Sequence, residues 1–154
     1  KLSYVIREIF CYMHEFPENQ YEVVVGCDSP SSDKPFFPIA IVVLRVGFGG
    51  RFFLKKMQYP DSFLKRFANI NWKNRILQEV YLSCELALSL KEILEKENKL
   101  GLKYQFEYIH ADVGELGKTK EMVKEVVGLI KSNGFEPKIK PQSFAATVVA
   151  DRYT

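Results

Sequence analysis

The chain has 154 residues, 47% of them apolar and 14% aromatic, with a formal net charge of +3. That composition belongs to globular rather than disordered chains, and the length suits one domain burying roughly two-thirds of its unfolded surface. No apolar run approaches the ~20 residues needed to span a bilayer, and the N-terminus lacks a signal-peptide pattern. A cytoplasmic protein with no membrane partner is therefore expected. The small net charge does not by itself argue for nucleic acid. Cys11, Cys27 and Cys84 are odd in number and share no CxxC spacing, so they read as free thiols in a reducing compartment. His14 and His110 are too scattered to suggest a histidine metal site.

Residues 3–16 place Val5, Ile6, Ile9, Phe10 and Met13 on one helical face, and Pro17 ends that helix. This leading helix, within residues 1–18, precedes a core over 21–154, the whole forming a single domain. YEVVVGCD (21–28) is a continuous apolar run suited to a strand buried on both faces. FFPIAIVVLRV (36–46) and RFFLKKMQY (51–59) flank GFGG and read as an antiparallel hairpin. Asp61 is a candidate cap for a short helical stretch, and Asn71 for a long helix from about Trp72 to about Asn98. LKYQFEYIHAD (102–112) is the next strand, TKEMVKEVVGLIKSNG (119–134) a helix ended by Asn133-Gly134, and FEPKIK (135–140) a short strand. PQSFAATVVADRY (141–153), with proline at a first-turn position, reads as a terminal helix. This order, a meander followed by α/β crossovers, predicts an α/β fold with a mixed sheet and helices on both faces.

Four carboxylates occupy positions where packing alone prefers apolar residues. Asp28 ends the most hydrophobic strand, and Asp112 ends the second central one. Glu79 lies within the stripe Ile76, Val80, Ser83, Cys84 and Ala87 of the long helix. Asp151 follows Val148, Thr147 and Phe144 at helical spacing. Any one of them is as well explained by a carboxylate reaching the solvated edge of its stripe. Four on four separate elements point elsewhere, because like charges drawn together destabilise a fold unless a cation neutralises them. Oxygen ligands without histidine or cysteine suit Mg²⁺ or Mn²⁺, and two such ions can drive phosphodiester hydrolysis.

Gly117, Lys118 and Thr119 raise a competing possibility, a phosphate- or nucleotide-binding loop. The Walker pattern GxxxxGK[ST] needs its first glycine at position 112, which holds Asp112. Only 35 residues follow Thr119, too few for the usual remaining sheet.

GCDS (26–29), RILQEVYLSCELA (75–87), HADVG (110–114) and GFEPKIKPQSFAATVVAD (134–151) resemble the YkuK-type bacterial proteins of the ribonuclease-H-like superfamily, a group of predicted nucleases. The resemblance runs from about Tyr21 to Asp151. It implies a five-stranded mixed sheet of order 3-2-1-4-5 and a two-metal site with Asp28, Glu79, Asp112 and Asp151 as ligands and catalytic residues. Pro30 stands where the family more often has glutamine, and Gly114 where it usually has asparagine.

The function expected is a Mg²⁺- or Mn²⁺-dependent nuclease, with two ions, cutting RNA, RNA–DNA hybrid or structured DNA. Lys118 and Lys140 adjoin the Asp112 loop and the start of the Asp151 helix, so they are candidate phosphate contacts. Ser29 and Ser143, within the resembling motifs, are further substrate-binding candidates. Most other lysines, and the aromatics Phe48, Phe52, Phe53 and Tyr59, read as surface or hairpin packing. The alternative from another class is a non-catalytic nucleic-acid-binding or assembly module on the same fold.

Overall fold

A computed structural model describes the protein over residues 2–27, 36–58 and 72–145. Five strands, β1 (Tyr21–Cys27), β2 (Phe36–Arg45), β3 (Gly50–Gln58), β4 (Tyr104–Ala111) and β5 (Glu136–Lys138), form a sheet ordered β3-β2-β1-β4-β5. β1–β2 and β2–β3 pair antiparallel, whereas β1–β4 and β4–β5 pair parallel. The sheet is the mixed 3-2-1-4-5 arrangement expected. Its direction reverses at β1, the one described strand with an antiparallel neighbour on one side and a parallel neighbour on the other.

Three helices, α1 (Leu2–Glu15), α2 (Trp72–Glu97) and α3 (Val123–Ser132), share one apolar cluster with Val23, Val25, Cys27, Ile39, Ile41 and Ile109. The alternate residues Val24, Ala40 and Val42 face the other side, where Phe144 and Ala145 pack on them. Both faces of β1 are thus dry, which is why its sequence is a continuous valine run rather than an alternating one.

Local chemistry sets the element ends. α2 has no glycine or proline over 26 residues, and its small residues Ser83, Cys84 and Ala87 are buried. The turn after α2 is closed by Asn98, whose amide donates to the Leu102 carbonyl and whose oxygen accepts the Leu102 N–H, both at 3.0 Å. α3 ends as Asn133-Gly134 suggests: Gly134 adopts φ +86°, a conformation that costs a side chain-bearing residue energy. A preceding 3₁₀ turn, Lys120–Met122, makes α3 begin later than periodicity suggests. α1 is clamped to the sheet by Arg45. Its guanidinium donates to the Tyr12 carbonyl (2.8 Å) and to the Tyr21 hydroxyl (3.1 Å), and lies 4.1 Å from the Tyr12 ring centroid.

Pro141 does not open a helix. It lies in a turn where the Gln142 N–H donates to the Ile139 carbonyl, and the backbone becomes helical only at Phe144. The rest of the expected terminal helix, the Asp61 stretch and the Asn71 cap lie outside the described residues. Phe48 and Phe52 are exposed on the hairpin. Among the described residues, no helix is long and apolar enough to cross a membrane.

Candidate metal centre

The last register pair of the central parallel strands is Cys27 with Ala111, so β1 and β4 end level with each other. Side chains at such adjoining strand ends emerge into one crevice. α2 packs across this point and carries Glu79 inward, leaving it only 2% exposed. Asp112 is the first residue beyond β4. Glu79 and Asp112 line one small pocket together with Cys27, Ile76, Val80, Ala111 and Val113. The pocket has a volume of about 20 Å³, enough for one water or a small ion.

Two of the four expected ligands therefore converge from two different elements. Asp28, Asp151 and the substrate candidate Ser29 lie outside the described residues. Among the described residues, no three His, Cys, Asp or Glu side chains group closely enough to hold a metal.

Lys140 reaches Asp112 from the turn after β5, with its ammonium 3.0 Å from Oδ1. That buried oxygen nevertheless accepts no well-aligned hydrogen bond, so the contact is an ion pair and the lone pairs keep acceptor capacity. The two loops are also strapped by backbone, since the Lys140 N–H donates to the Val113 carbonyl at 2.8 Å. A pocket lined by two carboxylates, one with an unspent buried oxygen, fits a hard divalent cation. Cys27 is buried in the same wall.

Lys118 is placed differently. Its ammonium lies 4.9 Å from the Trp72 ring, at the N-terminal end of α2. Trp72 and Glu79 are two helical turns apart, about 10 Å along the axis. The Thr119 hydroxyl accepts the Gly114 N–H at 3.0 Å, so the 117–119 loop folds back on its own backbone. Ser143 is fully buried.

His110, set aside in the sequence as isolated, is a structural member of this region. It is fully buried two residues before Asp112, its Nδ1 accepts the Ala145 N–H at 3.3 Å, and its ring meets Phe144 edge-on. Nε2 is buried and makes no hydrogen bond among the described residues. Burial first, and the charge of Lys138 second, push its pKa down to about 4, so the ring is neutral at ordinary pH. It fastens the start of the C-terminal segment to β4. Strand period alone carries the available signal, since positions 110 and 112 are spaced to share a face.

Comparison with known proteins agrees with this architecture. A family model described as Ribonuclease H-like matches residues 4–154. The uncharacterised protein YkuK of Bacillus subtilis (strain 168) is 28% identical over 153 residues, covering 97% of this chain and 88% of that one. No solved structure is a significant match.

Proposed function

The chain belongs to the ribonuclease H-like family, and from that premise we propose that it is a divalent-metal-dependent nuclease. Its substrate would be a phosphodiester of RNA, RNA–DNA hybrid or structured DNA, and its setting the cytoplasm. The observation that carries this reading is the ion-sized pocket shared by buried Glu79 and Asp112 at the ends of the parallel strands. A glutamate that deep in an apolar stripe is uncommon.

Glu79 and Asp112 would hold Mg²⁺ or Mn²⁺, with Asp28 and Asp151 completing a two-ion set. When bound, such ions supply the charge that activates water and offsets the negative charge building on the phosphodiester. The chain's own groups do the rest. Glu79 is held by a long helix and fixes the site relative to the sheet. Lys140 would meet a phosphate oxygen beside the acids, and Lys118, from its loop over Trp72 at the start of α2, would meet a flanking phosphate. Both contacts would position a nucleic acid without reading its sequence.

One observation favours a second reading. The Lys140–Asp112 ion pair already neutralises one acid, as it would in a non-catalytic nucleic-acid-binding or assembly module on this fold. A panel of labelled RNA, hybrid and branched DNA substrates, with Mn²⁺ or Mg²⁺ titrated against each, separates the two. Cleavage that needs metal and disappears in Glu79→Gln supports the nuclease. Binding without cleavage at any metal concentration supports the module.

A further inference from the structure

Lys140 is built into the site more firmly than a passing surface lysine. Its backbone N–H is bonded to Val113, one residue past Asp112, so the root of the side chain is fixed relative to the acid. Its stem then runs over Gly114. A Cβ at position 114 would lie 3.0 Å from Lys140 Cβ, 3.5 Å from Cδ and 3.7 Å from Cγ. The first distance is tighter than ordinary packing allows, so the missing side chain at 114 forms the trough along which the lysine reaches Asp112. The other two lysines of the region point elsewhere: Lys118 lies over Trp72, and Lys138 over the Tyr108 ring at 4.3 Å.

The contact made at the end of this trough is unusual in one respect. The ammonium sits 3.0 Å from Oδ1 without hydrogen-bond alignment, and the lysine side chain remains 47% exposed. An exposed, poorly aligned ion pair is weakly held. A hard dication brings twice the charge to the same oxygen and can engage Glu79 in the same pocket.

We propose that Lys140 is the site's own counter-ion, occupying Asp112 in the metal-free chain and yielding that oxygen to an incoming Mg²⁺ or Mn²⁺. This inference rests on the metal-dependent reading above and adds a regulation of that site. The released ammonium stays tethered beside the pocket by the Val113 bond, facing outward where a substrate phosphate would lie. Metal and phosphate binding are thereby coupled through one side chain. Metal frees the lysine for phosphate, and phosphate, by holding the lysine, clears Asp112 for metal. Such coupling is reciprocal by thermodynamic necessity.

The test is Mn²⁺ binding to the otherwise intact chain, followed by the electron paramagnetic resonance signal of the free ion. Lys140→Met and Lys140→Gln should each bind Mn²⁺ about fivefold more tightly than wild type, because neither has to break an ion pair between unit charges, worth about that factor at close range in a water-like medium. Lys140→Arg should stay near wild type. Lys138→Met, which changes the net charge equally away from Asp112, should shift affinity less than about twofold. If Asp112→Asn loses binding while both uncharged Lys140 variants match wild type, the exchange is overturned and the metal site stands. If Asp112→Asn binds Mn²⁺ as wild type does, the metal reading of Asp112 fails, and the exchange fails with it.

Discussion

His110 makes the stability of this protein pH-dependent in a window that can be worked out in advance. The unfolded imidazole titrates near pH 6.5, whereas burial, aided by Lys138, lowers the folded value to about 4. The folded state therefore binds fewer protons than the unfolded state between those values, and stability rises with pH across the window. The contribution is fully present above pH 6.5 and is lost as pH falls through 4. Lowering the pKa from 6.5 to about 4 corresponds to roughly 3 kcal/mol, of which roughly 2 kcal/mol disappears between pH 7 and pH 5. At this chain length that is a fall of about 4–8 °C in melting temperature. The perturbation is His110→Gln, whose amide oxygen can still accept the Ala145 N–H but does not titrate. Carboxylates contribute a pH dependence common to both proteins, so the quantity to read is the difference between their melting temperatures at pH 7, 6 and 5. Wild type should lose its advantage over the variant as pH drops. Parallel melting curves at all three values would mean that the imidazole titrates normally and is not held neutral by burial.

Two more outcomes follow from the same geometry. In the metal-free Asp112→Asn protein, loss of the partly exposed Lys140 ion pair (worth at most about 1 kcal/mol) and relief of repulsion from Glu79 oppose each other. Its melting temperature should therefore stay within a few degrees of wild type. Supposing a Mg²⁺ dissociation constant of about 1 mM, ~10 mM Mg²⁺ should stabilise wild type by roughly 1.4 kcal/mol, or about 3–6 °C, and the variant hardly at all. An equal Mg²⁺ response in the two proteins would remove Asp112 from the site. Arg45→Met should lower the melting temperature by several degrees, because the guanidinium joins α1 to β2 through the Tyr12 carbonyl and Tyr21 hydroxyl. Arg45→Lys, lacking the planar fork, should restore little of that loss.

The features legible in the sequence were those with a local cause. Unbroken valines mark β1, helical period and the absence of glycine or proline mark Trp72–Glu97, and Asn133-Gly134 marks the end of α3. Glu79 stood out because a carboxylate interrupts an apolar stripe, and Asp112 because an acid closes a strand. What the sequence concealed depends on loops approaching from a distance. The Lys140–Asp112 pair spans 28 positions and exists because Gly114 leaves room for the lysine stem, a fact of volume that no period carries. His110 looked isolated because its partner, the Ala145 N–H, is 35 residues away. Pro141 fits a helix start by residue type, yet the turn closed by Ile139 delays the helix to Phe144.

The division between fixed and movable parts follows from where each acid is rooted. Glu79 sits mid-helix, and a helix of 26 residues packed on β1 and β4 cannot reposition one carboxylate without moving a whole layer. Asp112 sits one residue past a strand, on a loop joined to the Lys140 turn by the Val113 carbonyl. Any rearrangement needed to admit a cation therefore falls on the Asp112–Lys140 pair, where the change is a lysine rotamer and a weak ion pair. Rotamer changes at exposed side chains are fast and nearly free of strain. A site built this way keeps its geometry in the helix and its adjustability in the loop, and the reversal of strand direction at β1 is what brings the two together.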